Sequence, residues 1–532
     1  MKEFNTTAVC IPSKHYMVDL SERVKEIKKL VDDGKYFTIN RARQYGKTTT
    51  LSALCQVLNE ENIVISLDFQ DIEDGSFKNG GEFSKAFARI ILDAEEFDGL
   101  AIPETIIDSF RQLTEKPSDE VKMDDLFRVF MRWFRESEKS IVLIIDEVDS
   151  ATNNQVFLDF LAQLRSLYLK REKNVKVKTF QSVILAGVTD VKHIRSKIRI
   201  EDEHKVNSPW NIAADFDIDM SLSEDGIRGM LDEYEADHHT GMDVDAIAKS
   251  IRKYTNGYPY LVSRICEILD KKLVPDTFKT LAEAWTNYGV DEAVKRILSE
   301  ESPLFESLIG KLTNYPELKG QLRRILLRGE TIAHLPDDEE QKQLRMYGFI
   351  VNYHNTVAVA NRIFEMRLYN YFIGESKVNE DLRQLAAAEK SIFVDKDGWL
   401  DISKIMSHFI REHNIIHKND TERFLEAEGR ERFLTYLAPI INGTGTYSIE
   451  EQTRDHRRMD VVIHYLGRRY IIELKIWRGE RYNADGEKQI VDYLDRFGLD
   501  TGYMLSFNFN KKKKQGVERV CIGDKVLFEG TV

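Results

Sequence analysis

Cysteine is scarce in this sequence, and long apolar runs are missing. The four cysteines of the 532 residues lie at positions 10, 55, 266 and 521. That spacing excludes a disulfide framework and a zinc site, and it fits a reducing compartment. No apolar stretch reaches the roughly 18 residues that a membrane helix needs, and the first residues, Met-Lys-Glu-Phe-Asn, lack the apolar segment of a signal peptide. We therefore expect a cytoplasmic protein that does not bind a membrane.

Internal repeats and low-complexity linkers are also missing. A chain of 532 residues is too long for one hydrophobic core, so several modules are expected. Changes in the hydrophobic pattern place them at 1–240, 241–300, 301–375 and 376–532.

Positive charge is in the minority, with 76 Lys and Arg against 89 Asp and Glu and a net charge of −13. This balance argues against indiscriminate nucleic-acid binding. Residues 411–532 differ, because they hold 21 basic and 20 acidic side chains. They include the run Lys511 to Lys514, which is either a solvated loop or a patch that follows phosphates. The C-terminal part is thus the least acidic part of the chain.

A phosphate-binding loop is predicted near the N-terminus. Tyr36–Ile39 have the pattern of a short strand, and a helical pattern begins at Leu51. A strand, a loop, Gly-Lys-Thr and a helix form the layout in which backbone N–H groups and a helix N-terminus hold phosphates. The residues expected to bind the nucleotide are Arg43, Gln44, Tyr45, Gly46, Lys47, Thr48 and Thr49.

Two of these residues have specific expected roles. Lys47 would reach the β- and γ-phosphates of ATP, and Thr48 would bind Mg²⁺. The loop departs from Gly-x(4)-Gly-Lys-[Ser/Thr] at its first glycine, which is Arg41 here. The entry turn is therefore expected to differ, which leaves the tightness of ATP binding open.

The continuous apolar run Ile141–Ile145 predicts the second half of the nucleotide site. A parallel strand that is buried on both faces requires such a run. Asp146 and Glu147 follow it directly. Asp146 can bind Mg²⁺ through water, and Glu147 can act as the general base toward the attacking water. The alternative, a buried strand that ends in a charged turn, does not explain the Gly-Lys-Thr upstream.

Strands are also predicted at Ile63–Asp68 and Ser182–Gly187, with a helix at 154–172. Strands that alternate with helices give a parallel, doubly wound sheet, whose ligands bind at the carboxyl ends of the strands. Thr189, just after one of these strands, is a candidate sensor of the γ-phosphate. The candidate arginine fingers are Arg165 and Arg199.

The middle of the chain is predicted to be mainly helical. Residues 241–300 have the pattern of a small helical lid that is interrupted at Thr255–Tyr260. Residues 301–375 give helices and then a hairpin, which suggests a winged helix. Arg323, Arg324 and Arg328 cluster there, but the helices are not markedly basic. A role in packing or relay is therefore favoured over DNA binding.

Two carboxylates and a lysine near the C-terminus form the most informative pattern. Asp460 precedes one apolar run, Glu473 and Lys475 end the next, and the turn Leu466–Arg468 separates them. Glu473 and Lys475 are two apart on a strand, so their side chains share a face, which Asp460 can meet from the neighbouring strand. Asp460 and Glu473 would bind Mg²⁺ or Mn²⁺, and Lys475 would position the water that attacks a phosphodiester. The alternative is a surface hairpin with a charged pair.

The spacing of this pattern resembles the PD-(D/E)XK nuclease superfamily, with Met459 in place of the usual proline. The order of the modules resembles bacterial and archaeal proteins that join an AAA-ATPase-like domain to such a nuclease. The matching stretches are Arg43–Thr48, Asp146-Glu147, Ile184–Val188, Asn207–Ile212, Gly257–Pro259, Asn361–Glu365 and Asp460 with Glu473-Leu474-Lys475. The resemblance implies an α/β multidomain protein with a P-loop parallel-sheet NTPase domain, a helical lid, a winged helix and a C-terminal α/β nuclease fold.

The resemblance also implies further residues of the nuclease site. In this superfamily a helix before the first acidic strand supplies a third carboxylate, which selects Glu431, with Glu428 next. The alternative is a solvated helix face with surplus glutamate. Gln489, on the following helix, is expected to orient Lys475 or a phosphate oxygen, and Tyr493 is a weaker candidate.

The leading hypothesis is an ATP-binding, NTP-regulated, Mg²⁺-dependent nuclease that cuts DNA. Defence against foreign DNA is one setting consistent with it. The rival is a signalling or scaffold ATPase whose nuclease-like domain is inert and binds a partner. An ATP-driven DNA translocase is disfavoured, because paired motor domains and a helicase motif set are missing. Substrate preference, pathway and assembly into a homo-oligomer stay open.

Overall fold

The chain folds into two compact units. The structure is a computed structural model that describes residues 2–174, 176–189, 191, 208–327, 330–375, 384, 386–387, 390–416, 426–441, 444–448, 461–476, 480–508 and 515–532. The first unit comprises Met1–His239, Gly257–Glu267 and Gln343–Gly348. The second unit comprises Thr240–Asn256, Ile268–Lys342 and Phe349–Val532.

The secondary structure alternates at the start of the chain and becomes mainly helical in the middle. In the described ranges the helices are α1 (Ser21–Asp32), α2 (Lys47–Leu58), α3 (Gly80–Asp98), α4 (Glu104–Glu115), α5 (Met123–Glu136), α6 (Gln155–Lys173), α7 (Glu224–His238), α8 (Val244–Thr255), α9 (Pro259–Lys271), α10 (Leu281–Ala284), α11 (Asn287–Ser299), α12 (Pro303–Asn314), α13 (Pro316–Leu326), α14 (Glu339–Met346), α15 (Arg362–Glu375), α16 (Ile402–Ile416), α17 (Glu426–Ile441) and α18 (Glu480–Phe497). The strands are β1 (Tyr36–Asn40), β2 (Asn62–Asp68), β3 (Ser140–Asp146), β4 (Ser182–Gly187), β5 (Ile350–Tyr353), β6 (Thr356–Val359), β7 (Gly445–Ser448), β8 (Val461–Tyr465), β9 (Arg468–Ile476), β10 (Thr501–Phe507), β11 (Gly516–Ile522) and β12 (Lys525–Thr531).

A parallel sheet forms the centre of the first unit, as the alternation of strands and helices predicts. Its strands run in the order β1-β4-β3-β2. Successive side chains of a strand point to opposite faces, so the apolar run of β3 supplies two cores. Leu143 and Ile145 pack on one face, whereas Val142 and Ile144 pack on the other.

The two cores of the first unit differ in composition. The core beneath α3–α6 is rich in aromatic rings, among them Phe83, Phe130 and Trp133, which are fully buried. The other core packs aliphatic side chains of α1 and α2 against the sheet. Each fully buried large side chain contributes about 1.5–3 kcal/mol, so both layers hold the carboxyl ends of the strands in place.

A mixed sheet forms the end of the second unit, with strand order β11-β12-β10-β9-β8-β7. The predicted hairpin is present as the antiparallel pair β8–β9. Ile471 on one face of β9 packs against Ile490 and Leu494 of α18. The opposite face of the sheet carries Phe507, whose ring lies 6.3 Å from that of Phe409 in α16. The charged pair of β9 therefore lies on the α18 face.

The middle of the chain contains a second predicted hairpin. Strands β5 and β6 pair antiparallel after helices α12–α14. Assignment of these elements to a winged helix, and of 241–300 to a lid, stays a prediction. No helix in the described ranges combines the length and the apolar character that crossing a membrane requires.

Candidate functional site

The loop between β1 and α2 has the geometry of a phosphate-binding loop. Gly46, directly before α2, has a φ of +78°, a left-handed conformation that glycine adopts without steric cost. Gln44 also has a positive φ of +56°. The chain thereby turns into the helix at Lys47, where unpaired N–H groups and the positive end of the helix dipole favour an anion.

The Lys47 side chain lies inside this loop. It is only 5% exposed, and its Nζ donates hydrogen bonds to the carbonyl oxygens of Arg41, at 3.1 Å, and Ala42, at 3.3 Å. Burial lowers the pKa of the Lys47 ammonium, and the carboxylates of Glu147 and Asp146 oppose that shift. The loop therefore holds a cation beside the start of the helix, and its contact with the phosphates of ATP stays a prediction.

Thr48 and Asp146 meet at the carboxyl end of β3. Thr48 Oγ1 donates a hydrogen bond of 2.7 Å to Asp146 Oδ2, and Asp146 Oδ1 accepts the N–H of Glu147 at 2.9 Å. Hydroxyl and carboxylate oxygens are the donors that Mg²⁺ prefers, usually with phosphate oxygens and water completing the shell. These residues therefore fit a Mg²⁺-nucleotide.

Glu147 follows Asp146 in a left-handed conformation, with a φ of +51°. Such a conformation is costly for a residue with a side chain and often marks a functional position. Burial raises the pKa of the Glu147 carboxyl, and the neighbouring Lys47 opposes the rise. A carboxylate of raised pKa near a nucleotide suits a general base.

Asp149 is a site residue that the sequence analysis missed. Its carboxylate accepts the N–H of Val188 at 2.7 Å and that of Thr189 at 2.6 Å. It thereby fixes the segment after β4 that carries the predicted sensor Thr189. The sequence feature that could have identified Asp149 is its position three residues after Asp146, in the turn that follows the strand.

Arg41, which replaces the usual first glycine, has a structural role. Its guanidinium donates to the carbonyl oxygens of Asn40, at 2.8 Å, and Ile218, at 2.9 Å, and it lies 5.4 Å from the centre of the Phe216 ring. The Arg41 N–H donates to Gly187 O at 3.1 Å, which extends the β1–β4 ladder. The entry to the loop is therefore held by side-chain contacts.

The rest of the predicted loop residues contact neighbouring parts of the first unit or solvent. The Tyr45 ring lies 4.8 Å from that of Tyr258, whose hydroxyl donates to the carbonyl oxygen of Arg43. Thr49 Oγ1 accepts the N–H of Cys10 at 3.2 Å. The Arg43 and Gln44 side chains are exposed. Their contacts with a nucleotide stay predictions.

Neither of the two candidate arginine fingers is supported by a contact in the described residues. Arg165 lies on α6 and is half-buried, whereas Arg199 lies outside the described residues. Neither has a described contact with the phosphate-binding loop. The finger assignment stays a prediction.

Replacing Gly257 with alanine is expected to destabilise the first unit. A Cβ at this position would lie 2.2 Å from the carbonyl oxygen of Leu222, and φ is +72°. Gly99 is the matched control, because it has a similar φ of +71° with no atom within 4 Å. Both variants carry the left-handed cost of ~1–2 kcal/mol, and overpacking adds ~1–3 kcal/mol at Gly257 alone. Thermal unfolding should give Gly257→Ala the lower melting temperature, and equal values would contradict the close approach.

Glu473 and Lys475 lie side by side on β9. They are 2% and 8% exposed, and Lys475 Nζ is 3.5 Å from Glu473 Oε1. Ser506 of β10 is opposite Lys475 in the parallel ladder and is also buried. Burying a carboxylate and an ammonium costs several kcal/mol per ion, of the order of their mutual attraction. A buried charged pair among the apolar residues of β9 is therefore a candidate catalytic pair.

Asp460 and the run Lys511 to Lys514 lie outside the described residues, and so does the side chain of Gln489 on α18. Tyr493, the weaker candidate, packs in the core with Ile490 and Leu494. In the described part of the chain, no group of three or more His, Cys, Asp and Glu side chains is placed to hold a metal ion.

Glu431 lies on α17, where its Oε1 is 3.6 Å from Nη2 of Arg323 on α13. Gly429 of the same helix approaches the ring of Phe507, on the face of the sheet opposite to Lys475. The structure thus brings Glu473 and Lys475 together and places Glu431 against an arginine instead. A role for Glu431 in metal binding stays a prediction, as does one for Glu428, whose side chain lies outside the described part.

Comparisons with known proteins identify a family for each of two stretches of the chain. The model of the AAA-like domain family matches residues 4–373, and that of the PD-(D/E)XK nuclease superfamily matches residues 446–520. No curated protein matches the sequence.

Several solved structures are similar to this chain at low identity. A Walker-type ATPase of Pyrococcus abyssi is 14% identical, over 69% of this chain and 99% of that one, with a TM-score of 0.46. Cdc6p of Pyrobaculum aerophilum is 14% identical, over 68% and 94%, with a TM-score of 0.35. The RuvB Holliday junction branch migration motor of Thermotoga maritima is 12% identical, over 67% and 95%, with a TM-score of 0.32.

The match to the AAA-like domain family covers more than half of the chain, and the loop geometry and the Thr48–Asp146 contact agree with it. The charged pair of β9 lies in the stretch that matches the nuclease superfamily. The chain therefore belongs to the AAA-like domain family, as a P-loop ATPase-like protein that carries a C-terminal domain of the PD-(D/E)XK nuclease superfamily.

Proposed function

We propose that this protein is a Mg²⁺-dependent nuclease that cuts DNA and is regulated by ATP. The observation that carries the proposal is the buried Glu473–Lys475 pair, within the stretch that matches the nuclease superfamily. A merely structural hairpin gains little from burying both charges, since well-packed apolar residues are often as stable. A hydrolytic site needs both groups, a carboxylate for a cation and an ammonium for developing negative charge.

Asp460 completes the proposed metal site. Val461 is opposite Ile472 in the antiparallel β8–β9 ladder. In the sequence, Asp460 directly precedes Val461 and Glu473 directly follows Ile472. This register supports a pairing of the two carboxylates as ligands of Mg²⁺ or Mn²⁺. The cation would supply polarisation of the scissile phosphate and of water. Lys475 then holds the attacking water and stabilises charge on the phosphate oxygens.

In this proposal ATP is bound by Lys47, Thr48 and Asp146. Glu147 accepts the proton of the water that attacks the γ-phosphate of ATP. The residues fit because a buried cation, a helix N-terminus and the Thr48–Asp146 contact converge at the carboxyl end of β3. ATP binding sets the arrangement of the helical and winged-helix-like segments, which controls cleavage. Thr189 senses the γ-phosphate.

Replacing Glu147 with glutamine is expected to slow ATP hydrolysis about 100-fold or more and to leave ATP binding nearly unchanged. The amide keeps the size of the side chain but cannot accept the proton, and general bases contribute roughly 10²–10⁴-fold. Single-turnover hydrolysis measures the loss, and calorimetry measures binding. Equal hydrolysis by the variant and the wild type would remove Glu147 from the base role.

Plasmid cleavage tests the proposed function. Purified protein is incubated with supercoiled DNA and Mg²⁺ or Mn²⁺, with and without ATP, and with EDTA as the control. We expect nicked or linear products that require the cation and change in amount with ATP. ATP binding without cleavage of DNA or RNA under any of these conditions would instead support an inert nuclease-like domain that binds a partner.

A further inference from the structure

A six-residue segment, Tyr254–Pro259, joins the two compact units of the chain. It contains the end of α8, two residues in the left-handed conformation and the first residue of α9. Asn256 has a φ of +48° and Gly257 a φ of +72°. The chain passes from one unit to the other at several points, and one of them falls between these two residues. The segment is therefore a short covalent connection with a specified backbone.

One end of the segment reaches the nuclease-like sheet within the second unit. The hydroxyl of Tyr254 donates a 2.7 Å hydrogen bond to Oδ1 of Asp291 on α11. Oδ2 of the same carboxylate lies 3.7 Å from Nδ1 of His464 on β8. His464 is three residues from Val461, which directly follows Asp460 in the chain.

This contact is made of one buried and two partly buried polar groups: Tyr254 is buried, whereas His464 and Asp291 are partly exposed. Burial lowers the pKa of the His464 imidazole well below its usual range, with the nearby positive charge of Arg469 adding to the effect. His464 is therefore neutral near pH 7, and its contact with Asp291 is not an ion pair. Burial raises the pKa of Asp291, and the hydrogen bond from Tyr254 opposes that rise. The Tyr254–Asp291 hydrogen bond depends on geometry, because a displaced donor or acceptor loses its partner. The 3.7 Å contact between Asp291 and His464 is longer than a hydrogen bond.

The other end of the segment reaches the phosphate-binding loop within the first unit. The Tyr258 hydroxyl donates to the carbonyl oxygen of Arg43, and its ring packs against Tyr45. A Cβ at Gly46 would lie 3.6 Å from the ring of Pro259, so Pro259 is in van der Waals reach of the loop. Both residues therefore contact the part of the loop that precedes Lys47.

We propose that the segment Tyr254–Pro259 transmits the state of the phosphate-binding loop to β8 through the Tyr254–Asp291–His464 contact. This inference rests on the proposed function and specifies how ATP regulates the nuclease site. A change in the loop at Arg43 and Tyr45 moves Tyr258, and the short segment passes the change to Tyr254.

The backbone of the segment is held at both of its left-handed residues, so a conformational change of the loop is passed along the segment and not absorbed within it. The Asn256 side-chain amide donates to Ala360 O at 3.0 Å within the second unit, and Gly257 is packed against Leu222 within the first. Both left-handed residues are thus fixed by tight contacts. Coupling between ligand sites is typically about 5- to 150-fold in affinity or population, and the ATP effect on β8 is expected in that range.

Hydrogen–deuterium exchange on the full chain tests the relay, with Mg²⁺-ATP as the probe. In the wild type, ATP should slow exchange in a peptide that contains the loop residues 41–48 and should change exchange in a peptide that contains β8. Tyr254→Phe removes only one hydroxyl. It should keep the loop response and ATP affinity within about twofold of the wild type, and it should lose most of the β8 response. Asp291→Ala, which removes both carboxylate oxygens, should act in the same way. Tyr353→Phe, at an exposed position on β5, is the matched control and should behave as the wild type.

The outcomes separate the relay from the proposed function. A loop response without a β8 response in the wild type overturns the relay, as does a full β8 response in Tyr254→Phe. If both peptides respond in the wild type and Tyr254→Phe loses only the β8 response, the relay is supported. If the wild type then cuts neither DNA nor RNA, the nuclease activity is overturned while the relay stands. If neither peptide responds, ATP binding fails and the relay is overturned with it.

Discussion

Replacing Lys47 with alanine is expected to weaken ATP binding about 10- to 150-fold, since a hydrogen bond to a charged group contributes ~1.5–3 kcal/mol. The Lys47 ammonium is the buried cation of the loop, and its described hydrogen bonds go to two loop carbonyls. Alanine removes the charge that would meet the β- and γ-phosphates. It also removes the cost of burying a cation, so the melting temperature should change little. Calorimetry with Mg²⁺-ATP measures the affinity.

Lys29→Ala is the matched control for this variant. Lys29 lies on α1 with an exposed side chain, so its loss removes a positive charge from the same unit without touching the loop. Its ATP affinity should equal that of the wild type. Wild-type affinity in Lys47→Ala would overturn the nucleotide assignment.

Replacing Lys475 with alanine is expected to lower the rate of DNA cleavage roughly 10²–10³-fold, the usual loss when one group that stabilises transition-state charge is removed. The cation should remain bound, because Lys475 is not one of its proposed ligands. Asp460→Asn should remove cleavage and most of the thermal stabilisation by Mn²⁺, since a ligand stabilises a fold only as far as it binds. Cleavage is measured on plasmid DNA, and cation binding by the shift in melting temperature.

Lys488→Ala supplies the control in the same domain. Lys488 lies on α18 with an exposed side chain, so a general effect of lost positive charge on DNA binding would appear in both lysine variants. Only Lys475→Ala should lose the cleavage step at saturating DNA. Equal rates in the two variants would exclude Lys475 from the chemistry.

The sequence predicted the P-loop fold well because local signals fix it. The apolar run before Asp146 specifies a strand buried on both faces, and Gly46 before Lys47 specifies the turn into a helix. The carboxyl ends of β1 and β3, which lie on either side of β4 in the parallel sheet, then bring Thr48 and Asp146 together. The strand and the turn follow from residues close together in the sequence, and the parallel sheet then supplies the Thr48–Asp146 contact.

Features that depend on distant contacts were not predictable. Arg41 is held by Ile218 O, and the Glu431 carboxylate pairs with Arg323, and in both cases the partner is far away in the sequence. Choosing Glu431 from its position in a glutamate-rich helix could not account for an arginine on α13. Helical periodicity gives the face on which a side chain lies, but it does not give the element that packs there.

The Tyr254–Asp291–His464 contact also has no local signature. Its three residues come from α8, α11 and β8, and each alone resembles an ordinary polar residue in an amphipathic element. The short segment that follows Tyr254 was visible in the sequence only as an interruption of a helical pattern. Its contacts at both ends come from the tertiary structure.

The dependence of DNA cleavage on ATP concentration tests the central claim most directly. The cleavage rate of the wild type is measured at fixed Mg²⁺ while ATP is varied, and ATP affinity is measured by calorimetry on the same sample. If ATP at the Lys47 site controls the Glu473–Lys475 site, the rate changes with ATP and its midpoint equals the dissociation constant. A cleavage rate that stays constant across the titration, or no cleavage at any ATP concentration, would contradict the account.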